Sequence, residues 1–276
     1  MISDSRQCKS CLEFCFYTAA FGEKYEKLAQ VLGYSMNKFG LTLNVFTNAK
    51  KLNYCNIIKI DEFINDGYHF KIHYLKTISK LISSKYYIWI DCDCYFFKNP
   101  LDYIYKFENF DFVFFPEINL LLNKINKWSG VFIQDMIKIC DIIKVKPLLY
   151  NCNGGLFIIS NLYVNDFFDK IMKIKALGGK KWTDEHSYSI MMASNYSKDD
   201  YNNTLYFSNL NLFFCDTLKI SNKFMKNNIN NKISCYETVN FFNKNEFYKL
   251  NECPCIIHFL FDETILLNEY NKLFNK

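Results

Sequence analysis

A continuous apolar run that ends in two carboxylates is the feature that most constrains the fold of this chain. Residues Tyr86 to Ile90 are apolar at every position, and Asp91 and Asp93 follow directly. A run without polar alternation is typical of a central parallel strand that helices cover on both faces. In open α/β sheets the ligand crevice lies outside the carboxyl ends of the strands. The sequence therefore predicts that both aspartates lie where such folds bind ligands.

The spacing of Asp91 and Asp93 suits the binding of one cation. Alternate side chains leave a strand on the same side, so the two carboxylates can converge on a single ion. Oxygen ligands are preferred by Mg²⁺ and Mn²⁺, which keep open positions for water and substrate phosphates. Two solvated aspartates in a turn after the strand are the alternative for an isolated pair. The metal-site interpretation therefore depends on the further motifs described below.

The composition limits the classes of protein to which this chain can belong. The chain has 276 residues, of which 50% are hydrophobic and 18% aromatic, so we expect one well-packed domain over residues 1–276. The net charge of +5 is spread along the chain, without the basic patch that is typical of nucleic-acid binding. A mild positive field favours anionic substrates such as nucleotide diphosphates.

The chain has twelve cysteines, which do not form the framework of a small disulfide-rich scaffold. Cys92 and Cys94 alternate with the two aspartates, where a disulfide would distort the predicted site. Reduced thiols are favoured, and they imply a reducing compartment. The alternative is a four-thiolate zinc site formed by Cys8, Cys11, Cys253 and Cys255.

No segment has the composition of a signal peptide or of a transmembrane helix. The first ten residues contain three charged side chains and no apolar core. The apolar stretch from Cys11 to Phe21 contains Glu13 and is too short to span a bilayer. We therefore expect a cytoplasmic protein, either free or peripherally bound at a membrane.

The apolar periodicity predicts alternating strands and helices. The predicted strands cover residues 12–18, 41–46, 86–90, 110–115, 156–160, 205–207 and 212–215. The predicted helices cover residues 25–39, 70–82, 131–143, 164–174 and 186–193. This order predicts an α/β fold with a mostly parallel central sheet flanked by helices. A small antiparallel part is expected towards the C terminus.

Two polar motifs lie at the starts of predicted elements. Asn153-Gly154-Gly155 comes directly before a predicted strand, and adjacent glycines permit close approach of the backbone to a ligand. An ordinary Asn-Gly turn is the alternative. Asp184-Glu185 begins a predicted helix, where acidic residues either cap the first turn or contact a substrate.

Two side chains with nitrogen groups are candidate neighbours of the carboxylates. His258 follows an apolar run, and imidazole is an acceptable ligand for Mn²⁺. A packed or surface histidine is the alternative. Lys71 lies at the start of the helix before the carboxylate strand, where it would neutralise a phosphate or hold Asp91. A solvated surface lysine is the alternative interpretation.

Taken in order, these motifs resemble those of metal-dependent nucleotide-sugar glycosyltransferases with the GT-A (Rossmann-like) fold. The resemblance is to the retaining family 8, which includes bacterial lipooligosaccharide galactosyltransferases and glycogenins. Asp91-Cys92-Asp93 matches the family's D-x-D motif, and Asn153-Gly154-Gly155 matches its N-(A/S)-G segment. Asp184-Glu185 falls on a D-Q pair, and His258 matches a C-terminal metal-binding histidine.

The resemblance implies an enzyme that moves a sugar, with retention, from a nucleotide-diphosphate sugar such as a UDP-sugar. The acceptor would be a hydroxyl group on a glycan, a lipid or a protein. Mn²⁺ or Mg²⁺ would be held by Asp91, Asp93 and His258, with Asp184 and Glu185 as the catalytic pair. Asp184 would hold sugar hydroxyls, and Glu185 would lie behind the anomeric carbon. The donor pocket would be lined by Thr18, Tyr25, Lys71, Asn153, Gly154 and Gly155.

The chain also departs from the family pattern. The segment after His258 reads Phe259-Leu260-Phe261-Asp262-Glu263, without the glycine and lysine that bind the diphosphate in the family. Glu185 replaces the usual glutamine. The first loop lacks the Asp or Asn often used to read the nucleotide base.

Two other functions are compatible with the same residues. A haloacid-dehalogenase-like phosphatase would use Asp91 as its nucleophile and Asp199-Asp200 as a second acidic motif. Its motif normally lies near the N terminus and continues with Thr or Val, whereas here it continues with Cys94. A non-catalytic sugar-nucleotide-binding module would use the same fold without turnover.

Overall fold

The computed structural model describes residues 13–105, 111–179, 181–196, 214–216, 239–243, 246–250, 255–259 and 263–275. Strands and helices alternate through most of these residues. The strands are β1 (Phe14–Ala19), β2 (Leu43–Thr47), β3 (Cys55–Lys59), β4 (Tyr86–Ile90), β5 (Cys94–Phe96), β6 (Phe112–Asn119), β7 (Lys127–Trp128), β8 (Val131–Phe132), β9 (Tyr150–Ser160), β10 (Phe214–Asp216), β11 (Val239–Asn243), β12 (Glu246–Leu250) and β13 (Ile256–His258). The helices are α1 (Glu23–Asn37), α2 (Phe70–Leu81), α3 (Leu101–Ile104), α4 (Ile133–Ile142), α5 (Val164–Gly178), α6 (Asp184–Tyr196) and α7 (Glu263–Phe274).

Six strands form the central sheet, in the order β3-β2-β1-β4-β9-β6. β1 pairs in parallel with β2, and β2 pairs in parallel with β3. β6 pairs antiparallel with β9 at one edge. The sheet is mostly parallel and is flanked by helices, which confirms the α/β fold class predicted from the sequence.

The burial of β4 explains its place inside the sheet. All five of its residues are buried, so neither face of the strand meets water. A strand without a polar face is stable where other elements cover both of its sides. The prediction of a central strand directly before Asp91 is therefore confirmed.

The chain forms two compact units. The Lys71 unit comprises Met1–Cys15, Ile64–Trp89 and Phe107–Tyr206. The His258 unit comprises Phe16–Phe63, Ile90–Lys106 and Phe207–Lys276. The expectation of one domain over the whole chain stays a prediction.

In the His258 unit, α1 buries its apolar face and anchors β5. Gly33 allows α1 to approach the chain closely, because a side-chain carbon there would lie 2.6 Å from the carbonyl oxygen of Tyr54. The Ser35 hydroxyl accepts a hydrogen bond of 3.1 Å from the backbone amide of Phe96 in β5. β5 in turn pairs antiparallel with β13, so these contacts fix the strand that carries His258.

In the Lys71 unit, aromatic side chains form the core between strands and helices. The rings of Trp89 in β4 and Phe157 in β9 are nearly parallel, with centroids 6.4 Å apart. Phe70 at the start of α2 packs edge-on against Trp89 at 5.7 Å. Phe167 in α5 and Tyr188 in α6 stack at 6.2 Å. Large rings therefore fix the first turn of α2, where Lys71 lies.

Several element boundaries differ from the sequence prediction. The predicted helix over residues 131–143 begins at Ile133, because residues 127–132 form a hairpin with Ser129 and Gly130 at positive φ. The strand expected from residue 156 begins at Tyr150. Within the region expected to hold antiparallel strands, β11 pairs antiparallel with β12, whereas β10 pairs in parallel with β13.

Two elements have no counterpart in the sequence prediction, since their apolar patterns are weak. β3 has no buried residue. Helix α7 buries only Leu266 among its residues. Neither segment therefore presents the continuous apolar face on which a prediction from periodicity depends.

Some sequence predictions fall outside the described residues. These are the strand over residues 205–207 and three of the four cysteines of the alternative zinc site, Cys8, Cys11 and Cys253. The fourth, Cys255, is buried, and its thiol donates a hydrogen bond of 3.3 Å to the carbonyl oxygen of Lys98. None of the helices in the described part of the chain is long and apolar enough to cross a membrane.

Candidate functional site

The two aspartates lie in a turn that joins β4 to β5. β4 ends at Ile90, and the backbone amide of Cys94 donates a hydrogen bond of 3.2 Å to the carbonyl oxygen of Asp91. Their place at the end of the strand is as predicted. The prediction that the two carboxylates converge because alternate side chains leave a strand on the same side is wrong. The two residues follow the strand, so the geometry of the turn positions their carboxylates.

His258 lies beside this turn because β13 pairs with β5. His258 is the register partner of Cys94, and the amide of Phe259 donates a hydrogen bond of 2.8 Å to the carbonyl oxygen of Asp93. The His258 Nε2 atom lies 3.2 Å from Asp93 Oδ1 and 3.9 Å from Asp91 Oδ2. These three residues are called the carboxylate–histidine cluster.

The chemistry of the carboxylate–histidine cluster fits a divalent metal ion. The His258 side chain is 5% exposed, whereas those of Asp91 and Asp93 are 25% and 18% exposed. A buried imidazole therefore lies beside two carboxylates that solvent can reach. Carboxylate oxygen and imidazole nitrogen are both accepted by Mn²⁺, and the solvent side leaves room for water or phosphate ligands.

Lys24 lies near the carboxylate–histidine cluster and was not selected from the sequence. Its Nζ atom lies 3.1 Å from Glu263 Oε1 at the start of α7. The hydrogen bond that Lys24 donates to Glu263 raises the pKa of Lys24, and the negative charge of Asp93 adds to this shift. No signal in the sequence distinguishes Lys24 from the many other lysines, since its partners are distant along the chain.

Thr18 and Tyr25, the predicted nucleotide-binding residues, lie in β1 and in the first turn of α1. Thr18 is fully buried opposite Val45 of β2, and its hydroxyl has no hydrogen-bond partner among the described residues. Tyr25 is 48% exposed, and Lys24 Nζ lies 5.4 Å from the centre of its ring. An exposed ring of this kind is available to stack on a flat ligand.

In the Lys71 unit, a second group of charged residues is almost fully buried. The Lys71 Nζ atom donates a hydrogen bond of 2.8 Å to the carbonyl oxygen of Gly154 and lies 3.3 Å from Asp184 Oδ2. The Lys71 and Asp184 side chains are 5% and 2% exposed. The alternative of a solvated surface lysine is therefore wrong. Each buried charge is compensated by the other, which is the condition for burying either of them.

Gly154 lies at the centre of this buried group. A side-chain carbon at this position would lie 2.9 Å from Asp184 Oδ2, 3.2 Å from Glu185 Cγ and 3.4 Å from Lys71 Nζ. The backbone amide of Gly154 also donates a hydrogen bond of 3.2 Å to Glu185 Oε1. Lys71, Gly154, Asp184 and Glu185 are called the buried lysine cluster. Position 154 therefore has no free space for a side chain, which explains the glycine.

The Asn-Gly-Gly motif forms part of strand β9. The alternative of an ordinary turn is therefore wrong. The backbone amide of Gly155 donates a hydrogen bond of 2.7 Å to the side-chain oxygen of Asn153, which is itself buried. This local hydrogen bond orients the side chain of Asn153, which directly precedes Gly154 of the buried lysine cluster in the sequence.

Histidine side chains fix the start of helix α6, which carries Asp184 and Glu185 in its first turn. The backbone amide of Thr183 donates a hydrogen bond of 3.0 Å to His186 Nδ1, and His186 Nε2 lies 3.0 Å from the carbonyl oxygen of Trp128. A ring that accepts at Nδ1 and donates at Nε2 is neutral. Burial lowers the pKa of His186, in agreement with a neutral ring.

A second histidine, His69, contacts the first turns of the same helix through Ser187. His69 Nε2 and Trp182 Nε1 both lie 3.0 Å from the hydroxyl oxygen of Ser187. Burial, with a contribution from the charge of Lys175, lowers the pKa of His69 from 6.5 to about 4. Neither histidine is predicted from the sequence as a positioning residue, since Trp128 and Ser187, which they contact, come from distant segments.

The structure thus gathers the predicted site residues into two clusters, each within one unit. Asp91, Asp93 and His258 form the carboxylate–histidine cluster of the His258 unit. Four further predicted residues form the buried lysine cluster of the Lys71 unit, with Asn153 and Gly155 adjoining it in β9. Thr18 and Tyr25 lie in the His258 unit, outside the carboxylate–histidine cluster as defined.

Comparison with known proteins leaves the family of this chain open. No protein-family model matches the chain, and no curated protein matches its sequence. Among solved structures, the galactosyltransferase LgtC in complex with donor and acceptor sugar analogues is similar, with a TM-score of 0.46 and 12% identity. The alignment covers 74% of this chain and 75% of that one. The functional interpretation therefore depends on the residues of this chain.

Proposed function

We propose that this protein is a metal-dependent glycosyltransferase that uses a nucleotide-diphosphate sugar, with a UDP-sugar as the expected donor. The carboxylate–histidine cluster is the observation that carries the proposal. Two solvent-accessible carboxylates beside a buried imidazole follow a central strand, at the edge where α/β folds bind ligands. The acceptor would be a hydroxyl group of a glycan, a lipid or a protein.

Asp91, Asp93 and His258 would hold Mn²⁺ or Mg²⁺. When bound, such an ion offsets the negative charge that develops on a departing nucleoside diphosphate. Lys24, held by Glu263, would add a positive charge near the same phosphates, in a chain that lacks the family's lysine after the histidine. Tyr25 would contact the base through its exposed ring, and Thr18 would lie beneath it at the end of β1.

The buried lysine cluster would bind the sugar. Asp184, oriented by Lys71, would accept hydrogen bonds from sugar hydroxyls, and the Asn153-Gly154-Gly155 backbone would allow close approach of the ring. Glu185, tied to the Gly154 amide, would place a carboxylate behind the anomeric carbon, where it can stabilise positive charge. The proposed outcome is retention of anomeric configuration.

The direct test is metal-dependent hydrolysis of a panel of UDP- and GDP-sugars in the absence of acceptor. We expect slow release of nucleoside diphosphate with Mn²⁺ and none in excess EDTA. Because a direct metal ligand is lost, Asp93→Ala should lower this rate by at least about 100-fold. Asp135→Ala, which removes an exposed aspartate of α4, should leave the rate unchanged and serves as the control. Full activity of Asp93→Ala would refute the metal site.

The phosphatase alternative makes a different prediction. It requires Asp91 as a nucleophile and a second acidic motif, and Asp199-Asp200 lies outside the described residues. Release of phosphate from p-nitrophenyl phosphate, abolished by Asp91→Asn, would favour that function. A non-catalytic module would bind a nucleotide sugar in the presence of Mn²⁺ and release no product.

A further inference from the structure

One cysteine lies within reach of the carboxylate–histidine cluster and has no role in the proposed function. The Cys94 sulfur, a carboxylate oxygen of Asp93 and a ring nitrogen of His258 all lie within 4.8 Å of one another. Cys94 is fully buried and forms no disulfide. Three different metal-binding atoms therefore meet at one place in the described part of the His258 unit.

The fold holds this arrangement through strand pairing. Cys94 in β5 and His258 in β13 are direct register partners across an antiparallel ladder. Side chains of such partners leave the sheet on the same face, with their first carbons about 5 Å apart. Asp93 precedes Cys94, and its carbonyl oxygen accepts the hydrogen bond of 2.8 Å from Phe259. Backbone bonds on both strands thus keep the three side chains together.

The chemistry of the three atoms favours an ion softer than Mn²⁺ or Mg²⁺. Thiolate, imidazole and carboxylate are the ligands that Zn²⁺ accepts, with bond lengths of about 2.0 to 2.3 Å. Affinity at sites with nitrogen and sulfur ligands increases from Mn²⁺ to Zn²⁺ in the usual order of divalent metals. Three protein ligands leave the fourth tetrahedral position for water or for a substrate oxygen.

We propose that Asp93, Cys94 and His258 form a binding site for a thiophilic divalent cation, with Zn²⁺ as the ion that fits best. Binding forms a metal–sulfur bond and breaks the S–H bond of Cys94, and the proton passes to solvent. The ion is buried on the side of Cys94 and His258 and open on the side of Asp93, whose side chain is 18% exposed. Zn²⁺ and Mn²⁺ compete for Asp93 and His258, so Zn²⁺ displaces Mn²⁺ at equal concentrations.

The site shares two residues with the proposed function but does not require that function. If no sugar is transferred, the thiophilic site still exists and binds its metal. If sugar transfer occurs and the thiophilic site is absent, a metal ion bound at the carboxylate–histidine cluster has no sulfur ligand. Metal binding without any sugar nucleotide is therefore the appropriate measurement.

The test uses Co²⁺ and Zn²⁺ alone with the full-length protein. Co²⁺ bound to a thiolate gives an intense near-ultraviolet charge-transfer band, which carboxylate and imidazole ligands do not give. We expect this band in the wild-type protein, with loss of the band on addition of Zn²⁺. Competition with a chromophoric chelator then gives the Zn²⁺ affinity.

The decisive variants are Cys94→Ser and, as a matched control, Cys92→Ser. Both change a buried cysteine in the segment that follows β4, but the Cys92 sulfur does not belong to the group of three metal-binding atoms. Cys94→Ser should lose the charge-transfer band and bind Zn²⁺ on the order of 100-fold more weakly. Cys92→Ser should keep both the band and the wild-type affinity.

The wild-type spectrum can overturn the proposal even if a variant does not fold. A Co²⁺ complex of the wild-type protein without a thiolate band overturns the proposal. So does a band that Cys92→Ser removes and Cys94→Ser keeps. Asp93→Asn and His258→Gln should each weaken Zn²⁺ binding, and unchanged affinity in both would equally contradict the site.

Discussion

At the scale of single residues, Gly154 lies where any side chain would meet three charged groups. The nearest of them, Asp184 Oδ2, would lie 2.9 Å from an added carbon. Asp184 has little freedom to move away, since it is buried and paired with Lys71 at 3.3 Å. A change at Gly154 should therefore affect both the stability of the protein and the geometry of the proposed sugar site.

We expect Gly154→Ala to destabilise the protein and to weaken donor binding. Replacing glycine by alanine normally stabilises a compatible position by about 0.4 to 1 kcal/mol. Overpacking against Asp184 should reverse the sign, with a cost of about 1 to 3 kcal/mol. Urea unfolding measures the stability, and calorimetry with a UDP-sugar and Mn²⁺ measures the affinity. A variant that is more stable than wild type would contradict the geometry.

The ion pair between Lys71 and Asp184 provides a second prediction at this scale. Lys71→Met leaves the Asp184 carboxylate buried without its cation, which should cost roughly 3 to 5 kcal/mol of the free energy of unfolding. Lys138→Met is the control, because Lys138 pairs with Asp135 at 2.9 Å on the surface. Exposed pairs contribute little, so the control should unfold at the wild-type urea concentration. Equal effects of the two changes would exclude a buried pair.

At the scale of elements, the first turn of α6 is positioned by neutral histidines. His186 accepts a hydrogen bond from the Thr183 amide, which is one of the donors that the start of a helix leaves without a partner. His69 supports the same turn through the Ser187 hydroxyl. The first-turn carboxylates of Asp184 and Glu185 are favourable there because of the helix dipole. Protonation of either ring would introduce a buried charge beneath this turn.

This arrangement predicts a loss of stability in mild acid. The unfolded chain binds a proton at His69 below about 6.5, whereas burial lowers the pKa of the folded state to about 4. The free energy of unfolding should therefore fall as the pH falls from about 6.5 to about 4. The limiting slope for one proton is about 1.4 kcal/mol per pH unit.

The measurement is urea unfolding of the wild type and of His69→Gln across this pH range. Glutamine can hydrogen-bond to Ser187 but does not titrate, so the variant should show a smaller slope than the wild type. Identical slopes for the two proteins would mean that His69 does not carry the pH dependence. Above pH 7 the comparison reports only the packing difference between the two side chains.

At the scale of the whole molecule, the proposed function makes a prediction about stereochemistry. If Glu185 lies behind the anomeric carbon, the sugar should be transferred with retention, so an α-linked donor gives an α-linked product. The anomeric proton coupling in NMR spectra of donor and product decides the outcome. Glu185→Gln, which keeps the size of the side chain but removes its charge, should keep the same configuration.

A β-linked product would mean that Asp184 and Glu185 have a different role. Asp184 or Glu185 would then serve as a general base that deprotonates the acceptor hydroxyl. The metal and donor assignments do not depend on this result, because they concern other side chains. The pH dependence of the rate would separate the two mechanisms further, since a general base must be deprotonated to act.

Much of the fold could be predicted because its signals are local. Each signal is carried by residues that are close together in the sequence. Examples are the apolar run of β4, the helical periodicity of α1 and α2, and the acidic start of α6. β3 and α7 could not be predicted, as their faces are too exposed to produce a periodic signal. The hairpin of β7 and β8 was missed since its apolar residues fit a helix equally well.

The sequence by itself determined the fold class, the position of Asp91 and Asp93 after a central strand, and the candidate residues. Each of these depends on neighbours along the chain. Only the tertiary structure decided which candidates meet: His258 beside Asp93 and Cys94, and Lys71 beside Gly154, 83 residues away. The physical reason is that strand pairing and the burial of charge depend on contacts between distant segments, which no local pattern encodes.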